Sequence, residues 1–263
     1  MEILGYVLAV VMGFTLGLLG GGGSILTVPI LVYILAIDPV LGTGYSLFVV
    51  GATAVVGGWR KHVQGLVAWK PGLIFAAPSL VSVFLTRYYL VPSISDVLFT
   101  LNGFVFTKDI AIMTFFGIVM LLASYSMIKK SNLKTEDKEK KYNYPLIMLE
   151  GAVVGVVTGL VGSGGGFLIV PALVLLVGLP MKKAVGTSLV IIAIKSLIGF
   201  LGDVGSGQPI DWTFLLMFTA FSIVGMFIGN YATRFVAPSK LKTGFGWFVL
   251  VMGVFIIIKE LLW

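Results

Sequence analysis

Lys195 is the one charged side chain that lies well inside a long apolar run of this chain. An ionisable group held at membrane depth is a functional hypothesis by default. A lysine there suits an anion. The alternative is snorkelling: Lys195 sits about two turns from the end of its run, and its stem can reach an interface. Two glycine clusters supply the other chemistry. Gly20-Gly-Gly-Gly23 leads into Ser24, Thr27 and Pro29, and Gly162-Ser-Gly-Gly-Gly166 leads into Pro171. Glycine in mid-helix costs about 1 kcal/mol relative to alanine, but it frees the backbone of obstructing side chains. Proline suits the first turn of a helix. Each cluster therefore reads as an unwound loop feeding a helix N-terminus, which offers N–H donors and about half a positive charge.

The predicted anion contacts follow. Backbone N–H groups come from Gly21, Gly22, Gly23 and Ser24 in the first cluster, and from Ser163, Gly164, Gly165 and Gly166 in the second. The hydroxyls of Ser24, Thr27, Ser163, Thr187 and Ser188 add directional bonds, and Lys195 adds charge. Thr187 and Ser188, with Ser46, open helices, so capping is the competing reading for them. Gly13-xxx-Gly17 and Gly155-xxx-Gly159 fit close helix packing in a membrane.

Several classes of function are excluded or weakened. The chain has no cysteine and one histidine, which removes disulfides, thiolate chemistry and multi-histidine metal sites. No metal and no cofactor are expected. Neither glycine cluster is followed by the Gly-Lys-Ser/Thr of a nucleotide loop. A His-Glu-x-x-His motif and paired membrane aspartates are absent, which argues against an intramembrane enzyme. A cation-selective transporter or channel is the alternative reading, but no carboxylate lies well inside a run. Asp38, Asp203 and Asp211 read as loop residues, solvated or capping. His62 reads as a solvated anchor beside Arg60 and Lys61. The net charge of +7 points to a basic membrane face, not to nucleic acid.

The elements that must position these residues are membrane helices. Hydrophobic residues make up 58% of the 263 positions, charged ones only 11%, and the mean hydropathy is +1.08. Apolar runs long enough to span a bilayer recur along the whole chain. The first run lacks a basic n-region and reads as a mature helix. The chain is also duplicated. An offset of 142 pairs Gly20 with Gly162, Pro29 with Pro171, Ser46 with Ser188 and Gly57 with Gly199 without a gap. Residues 1–128 form the first membrane repeat and 145–263 the second, joined by a lysine-rich linker at 129–144.

Each half has either four spans with a long broken first helix or five segments with a reversal at the glycines. Lysine and arginine favour the second. Four spans divide the loop charges 10 against 7, whereas five segments place 14 on one face and leave only Arg87, Lys108 and Lys259 opposite. That asymmetry is the positive-inside pattern. The expected fold is thus an all-α integral membrane protein with two inverted repeats of about five helical segments each. The glycine-broken short helices near 24–36 and 167–178 are either re-entrant or complete crossings. The linker is expected in the cytoplasm and both termini outside, in a multi-pass protein of the cell membrane. Inverted repeats with broken helices at the midplane are the design of secondary transporters.

Gly20-Gly-Gly-Gly-Ser-Ile-Leu-Thr-Val-Pro29 and Gly162-Ser-Gly-Gly-Gly-Phe-Leu-Ile-Val-Pro171 resemble the duplicated signature of the sulfite exporter TauE/SafE family. Lys183-Ala-Val-Gly-Thr-Ser188 and the pattern Gly207 then Asp211-Trp212 are similar to that family too. The first-half counterpart, Gly42-Thr-Gly-Tyr-Ser46, departs in order. The resemblance covers essentially the whole chain. It implies a permease for sulfur-containing or organic anions such as sulfite, sulfonates or sulfoacetate. The expected partners are that small anion, the lipid bilayer, a coupling ion (proton or sodium) and, as an oligomer, further copies of the chain.

Overall fold

A computed structural model describes residues 2–101, 104–128, 143–175, 177–232, 235 and 238–262. The linker predicted at 129–144 lies outside the described residues up to residue 142. The elements in chain order begin with α1 (Glu2–Leu19), a 3-10 turn (Gly20–Leu26), α2 (Thr27–Pro29) and a π-wound stretch (Ile30–Ile34). Then come α3 (Pro39–Val63), α4 (Trp69–Leu85), a second π stretch (Thr86–Leu90), α5 (Val91–Ser93), β1 (Val97–Leu101) and β2 (Phe104–Thr107). The remainder is α6 (Lys108–Ile128), α7 (Tyr144–Val161), α8 (Gly166–Leu175), α9 (Met181–Gly205), α10 (Trp212–Ala232) and α11 (Pro238–Leu262). Among the described residues, seven stretches are long and apolar enough to cross a membrane.

The starts of these helices are written locally. Asp38 caps α3 by accepting from Val40 N at 2.9 Å and Leu41 N at 3.1 Å, with Pro39 at the first helical position. Asn143 caps α7 through Leu146 N, and Asp211 Oδ1 caps α10 through Phe214 N at 3.0 Å. Side chains of this type satisfy N–H groups that the helix itself leaves open. The sequence offset reappears in the helix bounds: α7 and α9 begin and end 142 residues after α1 and α3.

Helical winding runs on from residue 4 to 34, yet the rod doubles back. A straight helix would hold Gly5 and Leu35 about 45 Å apart. Instead, the Leu35 side chain packs on Gly5, and Gly23 packs on the backbone of Thr15 and Leu16. The reversal is the glycine 3-10 turn, opened by Gly20 at φ 65°. In the second half, Gly162 ends α7 in the left-handed region at φ 74°, and Gly165 turns back against Thr158. The following α8 is only about 15 Å long, half the roughly 30 Å of hydrocarbon it would need to cross.

Four pairings build the bundle: α1 on α10, α4 on α7, α3 on α9 and α6 on α11. Glycine sets the closeness of two of them. A side chain at Gly13 would strike Ser222 O, and one at Gly17 would stand 2.5 Å from Met226 O; Gly225 and Gly229 return the contact against Val10 and Phe14. Gly155 meets Ser79 O of α4 at 2.5 Å and Gly159 meets Thr86 Cβ at the start of the second π stretch at 2.7 Å in the same way. These are the close approaches predicted for the small-residue pairs. The innermost pair is antiparallel. Gly44 lies beside Asp203, Gly51 beside Leu197 and Gly58 beside Val190.

Polarity is distributed inside out. Leu4, Val7, Leu122, Leu216, Phe227 and Val251 are exposed, whereas Ser24, Thr53, Thr158, Ser163, Lys195 and Ser196 are fully buried. Apolar side chains facing outward and hydroxyls facing inward are what a lipid solvent selects.

The β1–β2 hairpin was not expected. Its strands are antiparallel, with Phe99 opposite Phe106 and the two rings stacked at 4.8 Å. The available signal was Asn102-Gly103, a strong hairpin dipeptide, set between runs rich in phenylalanine, valine and threonine.

Candidate functional site: the junction of the two glycine segments

Both glycine segments arrive at one place, on the buried side of α9. Gly21 and Gly166 touch backbone to backbone, so a side chain on either would collide with the other. Ile192 of α9 closes on Gly21, with its Cδ1 2.5 Å from where a Cβ would stand. One turn further along α9, Lys195 points at the second segment. Its Nζ donates to Thr158 Oγ1 at 2.8 Å and lies 2.8 Å from the Cβ position of Gly165. Ser196 Oγ lies 3.5 Å from that of Gly164.

Lys195 is fully buried, and among the described residues no carboxylate lies within ion-pair distance of it. The snorkelling alternative is therefore not what this structure adopts. A buried lysine held by one neutral hydroxyl has unused donors. The hydroxyls of Ser196, next to it on α9, and of Ser163 in the second segment are buried without a hydrogen-bond partner. Buried polar groups are normally paired, so a cluster of unpaired ones beside a lysine marks a place able to receive a polar guest.

The predicted residues divide into two groups. Gly21, Gly22, Gly23 and Ser24 all lie buried in the 3-10 turn, and Ser163, Gly164, Gly165 and Gly166 lie buried around the second turn. The two segments are wound differently. The first is not the extended loop expected from its glycines; 3-10 winding commits N–H groups to carbonyls three residues back. The second carries Gly162, Gly164 and Gly165 at φ 74°, 68° and 62°, an open turn that only glycine adopts readily.

The hydroxyls also separate. Ser24 Oγ donates to Gly21 O at 2.8 Å, Thr27 Oγ1 to Ser24 O at 3.1 Å and Ser188 Oγ to Val185 O at 2.8 Å, so each bonds its own backbone. Thr187 lies elsewhere. Its Oγ1 accepts from Ala68 N at 2.9 Å, and it lines a narrow cleft with Trp69, Gly72 and Ile194. Of the predicted hydroxyls, Ser163 alone is uncommitted at the junction. Sequence reasoning missed Thr158 and Ser196. Thr158 stands in the packing run of α7 one turn before the break, and Ser196 directly follows Lys195.

Two charged residues also need correction. Arg87 was counted as a loop charge and Asp203 as a solvated or capping loop residue. Arg87 is fully buried in the second π stretch, Asp203 is 4% exposed in the last turn of α9, and the two form an ion pair. The helix runs on past the glycines and so carries Asp203 inside the bundle. His62 is exposed as expected and accepts from Trp69 Nε1 at 3.3 Å.

A multi-pass helical bundle with glycine-turned segments meeting at a buried polar junction fits a membrane transporter. The sequence comparisons agree. Residues 6–256 match the family profile described as Sulfite exporter TauE/SafE, and the chain belongs to that family. It is 31% identical to a "Probable membrane transporter protein" of Xylella fastidiosa (strain 9a5c), over 93% of this chain and 90% of that one. It is 30% identical to the "Probable membrane transporter protein YunE" of Bacillus subtilis (strain 168), over 81% and 83%. A "Probable membrane transporter protein" of Haemophilus influenzae is 27% identical over 94% of each chain. No solved structure matches.

Proposed function

We propose that the protein is a secondary permease for small anions, with sulfite, sulfonates or sulfoacetate as the substrate class, working by alternating access in the cell membrane. One observation carries this reading. A buried lysine without a carboxylate partner stands where the two glycine segments meet. A buried ammonium is expensive unless it is paired, and an entering anion is the partner that supplies the pairing. The open backbone of residues 163–166, the Ser163 hydroxyl and Thr158 surround the same point. The 3-10 turn at residues 21–24 forms its other wall.

The transport cycle in this reading uses two inverted repeats, 1–128 and 145–263. Repeat-related α3 and α9 run antiparallel, and α1 on α10 is the repeat counterpart of α7 on α4; both facts support the inversion. The linker faces the cytoplasm and the termini face outward. A proton or sodium gradient, or the substrate's own gradient, drives movement. The family name and the buried lysine favour anions over the cation-selective alternative. Asp203, a carboxylate buried in the last turn of α9, is paired with Arg87.

Uptake into proteoliposomes tests the proposal. Radiolabelled sulfite, methanesulfonate or acetate should accumulate in vesicles containing the protein and not in empty ones. Uptake of sodium or calcium with no anion movement would overturn it. The chain has no native cysteine, so a single cysteine introduced in the linker gives an unambiguous orientation. Labelling of that thiol by an impermeant reagent from outside intact cells would contradict the inversion.

A further inference from the structure

Arg87 is the largest fully buried side chain in the bundle, and none of its three guanidinium nitrogens has a hydrogen-bond partner. It meets Asp203 through a single Nη1–Oδ1 approach of 3.5 Å, and Asp203 Oδ2 is likewise buried without a hydrogen bond. Arginine and carboxylate at full strength pair side by side, through two short parallel bonds. This pair is therefore loose, and a buried ion pair is no strong source of stability even when well formed. Gly202 and Gly44 flank the two side chains, with Arg87 Cβ and Asp203 Oδ2 at 2.8 and 2.9 Å from the positions their Cβ atoms would occupy. The backbone has been stripped of side chains on both sides of the pair.

The position of the pair is informative. Asp203 follows Lys195 by eight residues on the same helix, about 12 Å along its axis. Asp203 shares the wall of a narrow crevice with Gly44, Tyr45, Phe200, Gln208 and Ile210. Tyr45 in the same wall ties the two halves by accepting from Asp211 N at 2.6 Å. The pair thus stands between the end of the bundle and the glycine junction.

We propose that Arg87 is a second anion subsite, an antechamber to Lys195, and that Asp203 is the internal stand-in that occupies it when no substrate is present. The inference rests on the anion-permease reading. An arriving oxyanion (sulfite, sulfonate or carboxylate) exchanges with the Asp203 carboxylate. It takes the guanidinium in the two-pronged geometry that Asp203 does not achieve, and the freed carboxylate then repels it inward toward Lys195. Loose pairing is what makes the exchange easy. A tight Arg87–Asp203 bond would block the passage instead.

The test is concentration-dependent uptake of radiolabelled sulfite, methanesulfonate and acetate into proteoliposomes, with thermal melting of each protein in detergent. The conservative Arg87→Lys keeps the charge but loses the planar fork, and it should raise KM about tenfold. Asp203→Asn removes the competitor and should lower KM several-fold while slowing turnover. The double variant Arg87→Met with Asp203→Leu removes the buried charges together. It should melt no lower than the unmodified protein and still show a KM raised at least tenfold. A double variant with unchanged KM, or an Asp203→Asn protein whose KM rises with that of Arg87→Lys, overturns the subsite and leaves the permease reading standing. Absence of any anion uptake by the unmodified protein overturns the permease reading and the subsite with it.

Discussion

The two glycine segments occupy equivalent places in the duplicated sequence, yet they have become different objects. The first is wound as a 3-10 turn with one left-handed residue, Gly20; the second is an open turn with three, Gly162, Gly164 and Gly165. Their surroundings diverge in step. The repeat counterparts of Thr158, Lys195 and Ser196 are Leu16, Thr53 and Ala54. So the lysine and two hydroxyls beside the second segment have leucine, threonine and alanine as their repeat counterparts. The backbones cross at Gly21 and Gly166, whose own repeat counterparts are Ser163 and Ser24, so even the crossing joins non-equivalent positions of the two copies. In the proposed reading, the first half acts as a wall and the second half carries the binding groups.

Substitutions can break or sharpen that contrast. The largest effect is expected at the lysine. Lys195→Met should reduce anion uptake by about 30-fold or more, as loss of a buried charge contact costs at least about 2 kcal/mol. Thr53→Val, at the equivalent place in the first half, should stay within about threefold. Equal losses at both would mean that the site is symmetric.

At the crossing itself the halves should behave alike. Gly21→Ala and Gly166→Ala each force a Cβ into backbone, and each should lower stability by about 1–3 kcal/mol, the usual cost of overpacking. Detergent melting curves measure this, and a neutral result at either position would place the segments farther apart than described here. Thr158→Val leaves the lysine without its one hydroxyl partner. It should cost about 1–3 kcal/mol, the range for leaving a buried donor unsatisfied, and should also weaken anion binding.

The smallest effects come from the two loop serines, and they should differ in kind. Ser24 already bonds Gly21 O, so Ser24→Ala should cost about 1 kcal/mol of stability and leave KM unchanged. Ser163 has no partner to lose. Ser163→Ala should leave the melting temperature where it is and raise KM several-fold. The reverse pattern would assign binding to the first segment.

Much of this was legible in the residues. Glycine and proline held in register at an offset of 142 announced the duplication and both turns, because those residue types are tied to backbone geometry and not merely to hydrophobicity. Lys195 was visible because its charge stands alone in an apolar run. What escaped notice were features made by contact across the fold. Thr158 reads as one more small residue in a packing stripe until α7 and α9 are brought together. Arg87 and Asp203 read as end-of-helix charges, since nothing local shows that α4 winds on through a π stretch and α9 runs past its glycines to bury both. The 3-10 winding of residues 20–26 was also hidden, because glycine allows an open loop and a tight turn equally well.

The central claim is that one anion site lies at the junction of both segments and depends on Lys195. The most direct measurement is the thermal stability of purified protein titrated with sulfite, methanesulfonate, acetate, sodium and calcium. A ligand that binds only the folded state raises the melting temperature with its concentration. The account predicts such a rise with one or more of the anions for the unmodified protein and none for Lys195→Met. Stabilisation by sodium or calcium alone, or an anion response that survives intact in Lys195→Met, would contradict it.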